Sequence, residues 1–218
     1  MTAFFLVGAA KFAVDISGIV EAGLRALGEE PELRGFLAVA GEETAADPAR
    51  TQPFDAGLLE SSRVVVAVAD PKVRARLFAD HLDELRAAAL TVVHPTAILA
   101  PGCCLGAGNL VGPHCYLGTN VSLGDLNVLN YHVGIGHHTQ IGDCNFVAPG
   151  FQCGNSVVLG DGNFFGLSCT VGPGITIRDN NRFQAGAIVT QPIASHLLCY
   201  SSERLKAVQL PGDEHGAG

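Results

Sequence analysis

The sequence predicts a parallel β-helix carried behind a small α/β unit. From Val93 to Val189 an apolar residue recurs at every sixth position: Val93, Leu99, Leu105, Val111, Leu117, Leu123, Leu129, Ile135, Ile141, Val147, Cys153, Leu159, Phe165, Val171, Ile177, Phe183 and Val189. Glycine usually follows, as at Gly106, Gly112, Gly118, Gly124, Gly136, Gly142, Gly154, Gly160, Gly166 and Gly172. A period of six matches neither the 3.6 of a helix nor the 2 of a half-buried strand, and it marks hexapeptide coils. The apolar residue points into a narrow core, and the glycine relieves crowding where the backbone turns. The position four after each apolar residue is small, β-branched or Asn in most units, as at Ala97, Cys103, Asn109, Cys115, Val121 and Asn127. Three hexapeptides make one triangular coil, so residues 18 apart lie above one another at the strand spacing of about 4.8 Å. No unit of the repeat is interrupted, so no long loop leaves the prism.

The elements before the repeat follow from local patterns. Residues 3–7 read as a buried parallel strand ended by Gly8. Phe12, Ile16, Ile19, Val20, Leu24 and Leu27 then fall on one helical face, with Gly28 as the stop. A second strand is expected over Phe36–Val39, then a polar loop over 41–56 with Pro48 and Pro53, then a strand over Val64–Val68. Asp70 caps a helix that Pro71 opens, running to about Leu82 and on toward Ala88. Thr91–Val93 completes a strand–helix–strand–strand–helix–strand order, a small Rossmann-like α/β unit. The expected domains are 1–92 for this unit, 93–190 for the prism, and 191–218 for an irregular C-terminal segment whose last residues, 211–218, read as a disordered tail.

Composition narrows the function. The 218 residues are 48% hydrophobic and 16% charged, enough for a real core. The net charge is −8 and no basic cluster suits nucleic acid. No apolar run reaches the ~18 residues of a membrane span, and residues 3–10 lack the flank and cleavage site of a signal peptide. Seven cysteines is an odd number; Cys103, Cys115 and Cys169 share one repeat position, and Cys153 replaces an inward aliphatic residue. They read as small buried hydrophobes in a reduced, cytoplasmic setting.

Phe4–Ala9 (FLVGAA), Val64–Ala69, His94-Pro95-Thr96-Ala97 and Asn130–Gly142 (NYHVGIGHHTQIG) together resemble one family, over roughly residues 3–190. It is the hexapeptide-repeat sugar acyltransferases that include sialic acid O-acetyltransferases and bacillosamine-pathway N-acetyltransferases. The resemblance implies a left-handed coil and a homotrimer with sites between neighbouring prisms. It also implies acetyl-CoA as co-substrate and an N-terminal domain that holds a nucleotide-linked sugar. By the same resemblance His137 matches the general base and Asn130 an active-site Asn that binds the acceptor or a water. The Asn155 backbone N–H matches the donor to the oxyanion, and Leu167, Ala185 and Gly186 match positions along the CoA groove. Gly8 and Lys11 are what this chain offers for substrate binding at the first turn.

A neutral imidazole suits proton removal from an attacking amine or hydroxyl near neutral pH. The family follows its histidine with an acidic residue; here His138 stands in that place. Either another carboxylate, such as Asp125 or Asp143, orients the ring, or the base is weakened. The family's glycine-rich turn is reduced to Gly8-Ala9-Ala10-Lys11-Phe12, and its acidic residues after the second strand are absent from Phe36–Ala40. Its C-terminal Gly-x-Pro-Ala motif is missing too, with Tyr200-Ser201-Ser202-Glu203-Arg204 near its place. Two other functions fit parts of the pattern. His114, His132 and His137 have the spacing of a zinc site in a gamma-carbonic-anhydrase-like hydratase. A non-catalytic binding member of the family accommodates the altered turn and His138.

Overall fold

A computed structural model of the chain describes residues 1–200. The N-terminal unit holds β1 (Thr2–Val7), α1 (Lys11–Ala26), β2 (Pro31–Ala38), β3 (Thr51–Pro53), β4 (Arg63–Val66) and α2 (Pro71–Ala88). Its four strands are all parallel, in the order β3-β2-β1-β4. α1 ends where expected: Gly28 takes φ 79°, and the N–H groups of Gly28 and Glu29 donate to the carbonyls of Arg25 and Leu24. α2 starts on its cap, with Asp70 Oδ1 accepting from the Lys72 and Val73 amides at 2.8 and 3.0 Å. It then continues through a kink at His81.

Two expectations for this unit are corrected. The polar stretch 41–56 is not all loop, because Thr51–Pro53 adds an edge strand to β2. Proline is tolerated there because an edge strand leaves one side unpaired. The strand before His94 does not join the N-terminal sheet. Val92–Val93 pairs with Leu110–Val111 and is the first rung of the prism.

The prism has three parallel faces of seven, six and five short strands. Each strand from Val92–Val93 to Ile188–Val189 ends on an inward residue of the hexapeptide series, and Ile135, Ile141 and Leu159 are 1%, 4% and 2% exposed. Val121, Val133 and Val157, four positions after an inward residue, complete the corners of the same core, where Phe165 stacks on Phe183 at 4.6 Å. The glycine after the inward residue is required by close approach: a Cβ on Gly136 would lie 2.4 Å from the Gly154 carbonyl carbon. The prism does not stop near 190. Leu198–Cys199 pairs with Arg182–Phe183, so the segment expected to be irregular adds a further rung; the expected tail at 211–218 lies outside the described residues.

The turns carry a feature the repeat did not announce. Among the described residues ten non-glycine residues, including His114, Asn120, His132 and His138, adopt φ between 54° and 64°. For an L-residue that left-handed geometry costs roughly 1–2 kcal/mol, least for Asn. It places one side chain per turn outside the prism in a fixed column.

The N-terminal unit covers one face. Leu110, Val128 and Phe146 point outward from the seven-stranded face, yet are 2%, 2% and 5% exposed. They pack into one apolar cluster with Phe4, Ile16 and Val20, and Phe12 meets Phe146 edge-on at 5.3 Å. Arg74 of α2 is buried, lies over Phe78 at 4.6 Å, and donates to the carbonyls of Val68, Leu126 and Cys144. Burial pulls its guanidinium down to about 10; three carbonyl acceptors offset the desolvation.

Candidate active site

The corners of the prism sort the candidate residues. His137, His138, Asn120 and Asn155 lie at the corner between the six-stranded and five-stranded faces, and all four are exposed. His137 and His138 meet through their Nδ1 atoms at 2.9 Å, with rings at 89°. One of the two nitrogens must carry the proton that joins them. Asn120, one coil below His138, reaches its Nε2 at 3.1 Å. Asn155 stands one coil above His137; its carbonyl accepts from Gly174 N–H at 2.9 Å, and its own N–H makes no hydrogen bond among the described residues. A ring nitrogen and a free amide donor in one column can serve a base and an anionic oxygen.

Asn130, Leu167, Ala185 and Gly186 lie at the preceding corner, across the six-stranded face from His137. Asn130 is nearly buried and its Oδ1 accepts from the next residue's amide, Tyr131 N–H, at 2.9 Å. Leu167 and Ala185 are exposed, and Gly186 N–H donates to the Leu167 carbonyl at 2.7 Å. Gly186 also borders a cleft of about 290 Å³ with Phe183, Ile188, Gln191 and Tyr200. Within one chain the structure does not bring this group to His137. The face between them exposes Ile98, Tyr116 and Ile188 at 61%, 50% and 74%.

The carboxylates expected to orient the base are elsewhere. Asp125 and Asp143 occupy the third corner, where their Oδ1 atoms accept from Ala107 and Asp125 amides one coil below, both at 2.8 Å. Arg86 of α2 pairs with both, at 2.8 Å to Asp125 and through its other nitrogen to Asp143. Six residues along this chain means one corner further round, so neither aspartate faces His137. The nearest side-chain partner of His137 is instead His138. Within one chain the three histidines of the zinc reading, which needs a site between subunits, also divide: His114 and His132 stack at 5.1 Å on the Asn130 corner, while His137 is on the next. Among the described residues no group of three metal-binding side chains converges.

At the N-terminal unit, Gly8 is buried with φ 123°, and a Cβ there would lie 2.6 Å from Ala67 O, so it fits β1 against β4. Lys11 is exposed at the first turn of α1. The Ala9 amide beside it donates to Glu42 Oε2 at 3.2 Å, and the Ala9 carbonyl accepts from Ala45 and Ala46. A carboxylate of the chain thus already sits at the start of α1; burial raises its pKa. A cleft of about 480 Å³ opens nearby between Glu42, Phe54, Arg76 and His81, and it includes neither Lys11 nor His137. All seven cysteines are free thiols, and burial pushes Cys115, Cys144 and Cys153 up to about 11. That keeps them protonated and unreactive.

No protein-family model matches the chain, and no curated protein matches it in sequence. Solved structures do match in fold. A histidine-to-asparagine variant of perosamine N-acetyltransferase from Caulobacter crescentus, in complex with CoA and GDP-perosamine, superposes with a TM-score of 0.74 at 22% identity, over 95% of this chain and 98% of that one. The acetyltransferase domain of PglB from Neisseria gonorrhoeae, in complex with acetyl coenzyme A, gives 0.67 at 18% identity, over 88% and 92%. WeeI from Acinetobacter baumannii gives 0.67 at 19%, over 89% and 94%. The likeness is therefore one of whole-chain architecture, from the N-terminal sheet to the last coils.

Proposed function

We propose that the protein is an acetyl-CoA-dependent sugar acetyltransferase with His137 as general base. The observation that supports this best is the His137 column: an exposed imidazole held at Nδ1, with a free amide one coil above. The fold is shared with acetyltransferases whose structures hold CoA and, in one case, GDP-perosamine. In this reading His137 Nε2 takes the proton of the acceptor amine or hydroxyl as it attacks the thioester carbonyl. Asn155 N–H donates to the oxygen that becomes negative, and the CoA thiolate leaves with a proton returned through His137. Leu167, Ala185 and Gly186 line the CoA path, and Asn130 contacts the acceptor.

The division of these residues between two corners argues for assembly. A cyclic trimer sets one protomer's His137 corner against the Leu167 corner of the next and covers Ile98 and Tyr116. We read the α/β unit before Val92 as a Rossmann-like acceptor-binding domain, the stack from Val92–Val93 to Leu198–Cys199 as the left-handed catalytic prism, and the protein as cytoplasmic; among the described residues no helix is long and apolar enough to cross a membrane. The acceptor follows the neighbours: a nucleotide-linked amino sugar. One observation favours a free sugar instead, since Glu42 puts a carboxylate on the Ala9 amide, just before the α1 N-terminus where a phosphate would bind.

Incubation with acetyl-CoA and a panel of nucleotide-linked and free amino sugars, read by mass spectrometry, tests the reading. Acetylated product is expected, with kcat lowered about 10²–10⁴-fold in His137→Ala. Calorimetry should find acetyl-CoA binding unchanged in that variant. Wild-type turnover in His137→Ala would remove the base from His137.

A further inference from the structure

The contact between His137 and His138 raises a question of proton order. A neutral imidazole carries one proton on two nitrogens. For His137 to offer an empty Nε2 to the acceptor, its proton must sit on Nδ1 and point at His138 Nδ1. His138 must then accept at Nδ1 and hold its own proton on Nε2. That proton needs an acceptor, and the group 3.1 Å from His138 Nε2 is the side-chain amide of Asn120.

In the structure Asn120 presents Nδ2 to His138. That orientation runs the chain backwards: Asn120 donates to Nε2, His138 donates from Nδ1, and His137 is left with its proton on Nε2, where it cannot act as a base. Rotating the amide by 180° exchanges Nδ2 for Oδ1 without changing its shape. The reversed chain leaves His137 Nε2 open.

We propose that Asn120 is a positioning residue that sets the tautomer of His137 through His138. This deepens the acetyltransferase reading and rests on it. The relay replaces a carboxylate with two neutral groups. When His137 takes the acceptor's proton at Nε2, its Nδ1–H stays bonded to His138, and His138 Nε2–H stays bonded to Asn120 Oδ1. No proton crosses the relay, and the positive charge on His137 is met by two aligned dipoles.

The backbone makes this register rigid. Asn120 and His138 both have left-handed turns, φ 57° and 59°, and sit in one column. The Asn120 amide donates to Pro101 O at 3.2 Å and the His138 amide to Thr119 O at 2.9 Å. Asparagine tolerates this geometry and carries an acceptor that can turn toward the ring.

Two substitutions separate the relay from a structural role. Asn120→Gly keeps the positive φ and deletes the amide; Asn120→Asp supplies an acceptor that cannot donate. Histidine ¹⁵N chemical shifts read the tautomer with no substrate present. We expect the Nδ1–H form of His137 to dominate in Asn120→Asp and to lose ground to Nε2–H in Asn120→Gly. In the acetylation assay Asn120→Gly should lower kcat roughly tenfold, with KM for acetyl-CoA unchanged, and Asn120→Asp should restore it. Identical His137 shifts in wild type and both variants would overturn the relay, whatever the turnover. Shifts that respond as expected in a protein that acetylates nothing would uphold the relay and fail the acetyltransferase reading instead.

Discussion

Two corners of the same prism use one backbone for opposite ends. At the aspartate corner, side chains are spent on the stack itself. Asn109, Asn127 and Asn145 form a buried ladder, each Oδ1 accepting the amide of the Asn one coil above at 2.8–2.9 Å. Asp125, Asp143 and Asp161 form a second ladder one step outside that runs the other way, each Oδ1 accepting an amide one coil below, and Arg86 fastens α2 to Asp125 and Asp143. At the His137 corner the inward position is Val121, Thr139 or Val157, and the outward groups bond mainly to each other. A repeat that satisfies its backbone by stacking leaves outward turn residues free. The sequence then decides whether a corner is glued or left open for chemistry.

Substitutions at the two corners should therefore separate stability from activity. The largest effect on stability is expected from Asn145→Ala. It strips Asn163 N–H of its acceptor and the Gly160 carbonyl of its donor in a space closed to water. Denaturant melts should show a loss of about 2–4 kcal/mol. Asn120→Gly, the matching deletion at the open corner, should move the same melt by less than about 1 kcal/mol. Equal losses at both corners would break the contrast.

Arg86→Ala comes next. Its side chain and both aspartates are about one-third exposed. The loss should be about 1 kcal/mol and should shrink in high salt. A larger, salt-independent loss would mean that α2 is held by the pair and not by Arg74 and the apolar cluster.

Glu42 gives the smallest effect and the opposite sign. Like the aspartates it accepts a backbone amide, but burial raises its pKa, and nearby Asp70 adds to the rise. A carboxyl raised on folding favours the protonated state. Its contribution is fully present below the unfolded value of about 4.3 and is lost as pH climbs through the folded one. Glu42→Gln should then melt higher than wild type at about pH 7 and equally at about pH 4. A lower melting temperature at neutral pH would show that the charge stabilises the loop.

The inward series was legible because a six-residue period leaves little freedom, and Asp70-Pro71 and Gly28 announced helix ends by local chemistry alone. The edge strand Thr51–Pro53 was not, because three residues ending in proline show no alternation. Val92–Val93 could not declare its sheet: two apolar residues pair equally well with either neighbour. The site was half legible. Counting eighteen residues on from His137 places Asn155 above it. Counting eighteen back from His138 reaches Asn120, a step that nearness in sequence obscured by drawing attention to Asp125 and Asp143. The left-handed turns were hidden as well, since His, Leu and Cys occupy them as well as Gly and Asn.

The uninterrupted stack also sets the lengths this protein can have. From Val92 to Val189 each inward residue, ladder asparagine and turn is aligned with its counterpart 18 positions away, while the last rung, Leu198–Cys199 on Arg182–Phe183, closes in 16. One residue added within the prism would carry every later side chain round to the wrong face or corner. Eighteen added together would restore all of them one rung higher. Between Val92 and Val189 the register therefore survives only changes of whole turns, like a screw cut to a fixed thread. Such a change between Gly160 and Asp161 would lift the Gly186 cleft about 4.8 Å further from His137. The distance from His137 to the Gly186 cleft is thus counted in coils, and this gene sets it by how many it encodes.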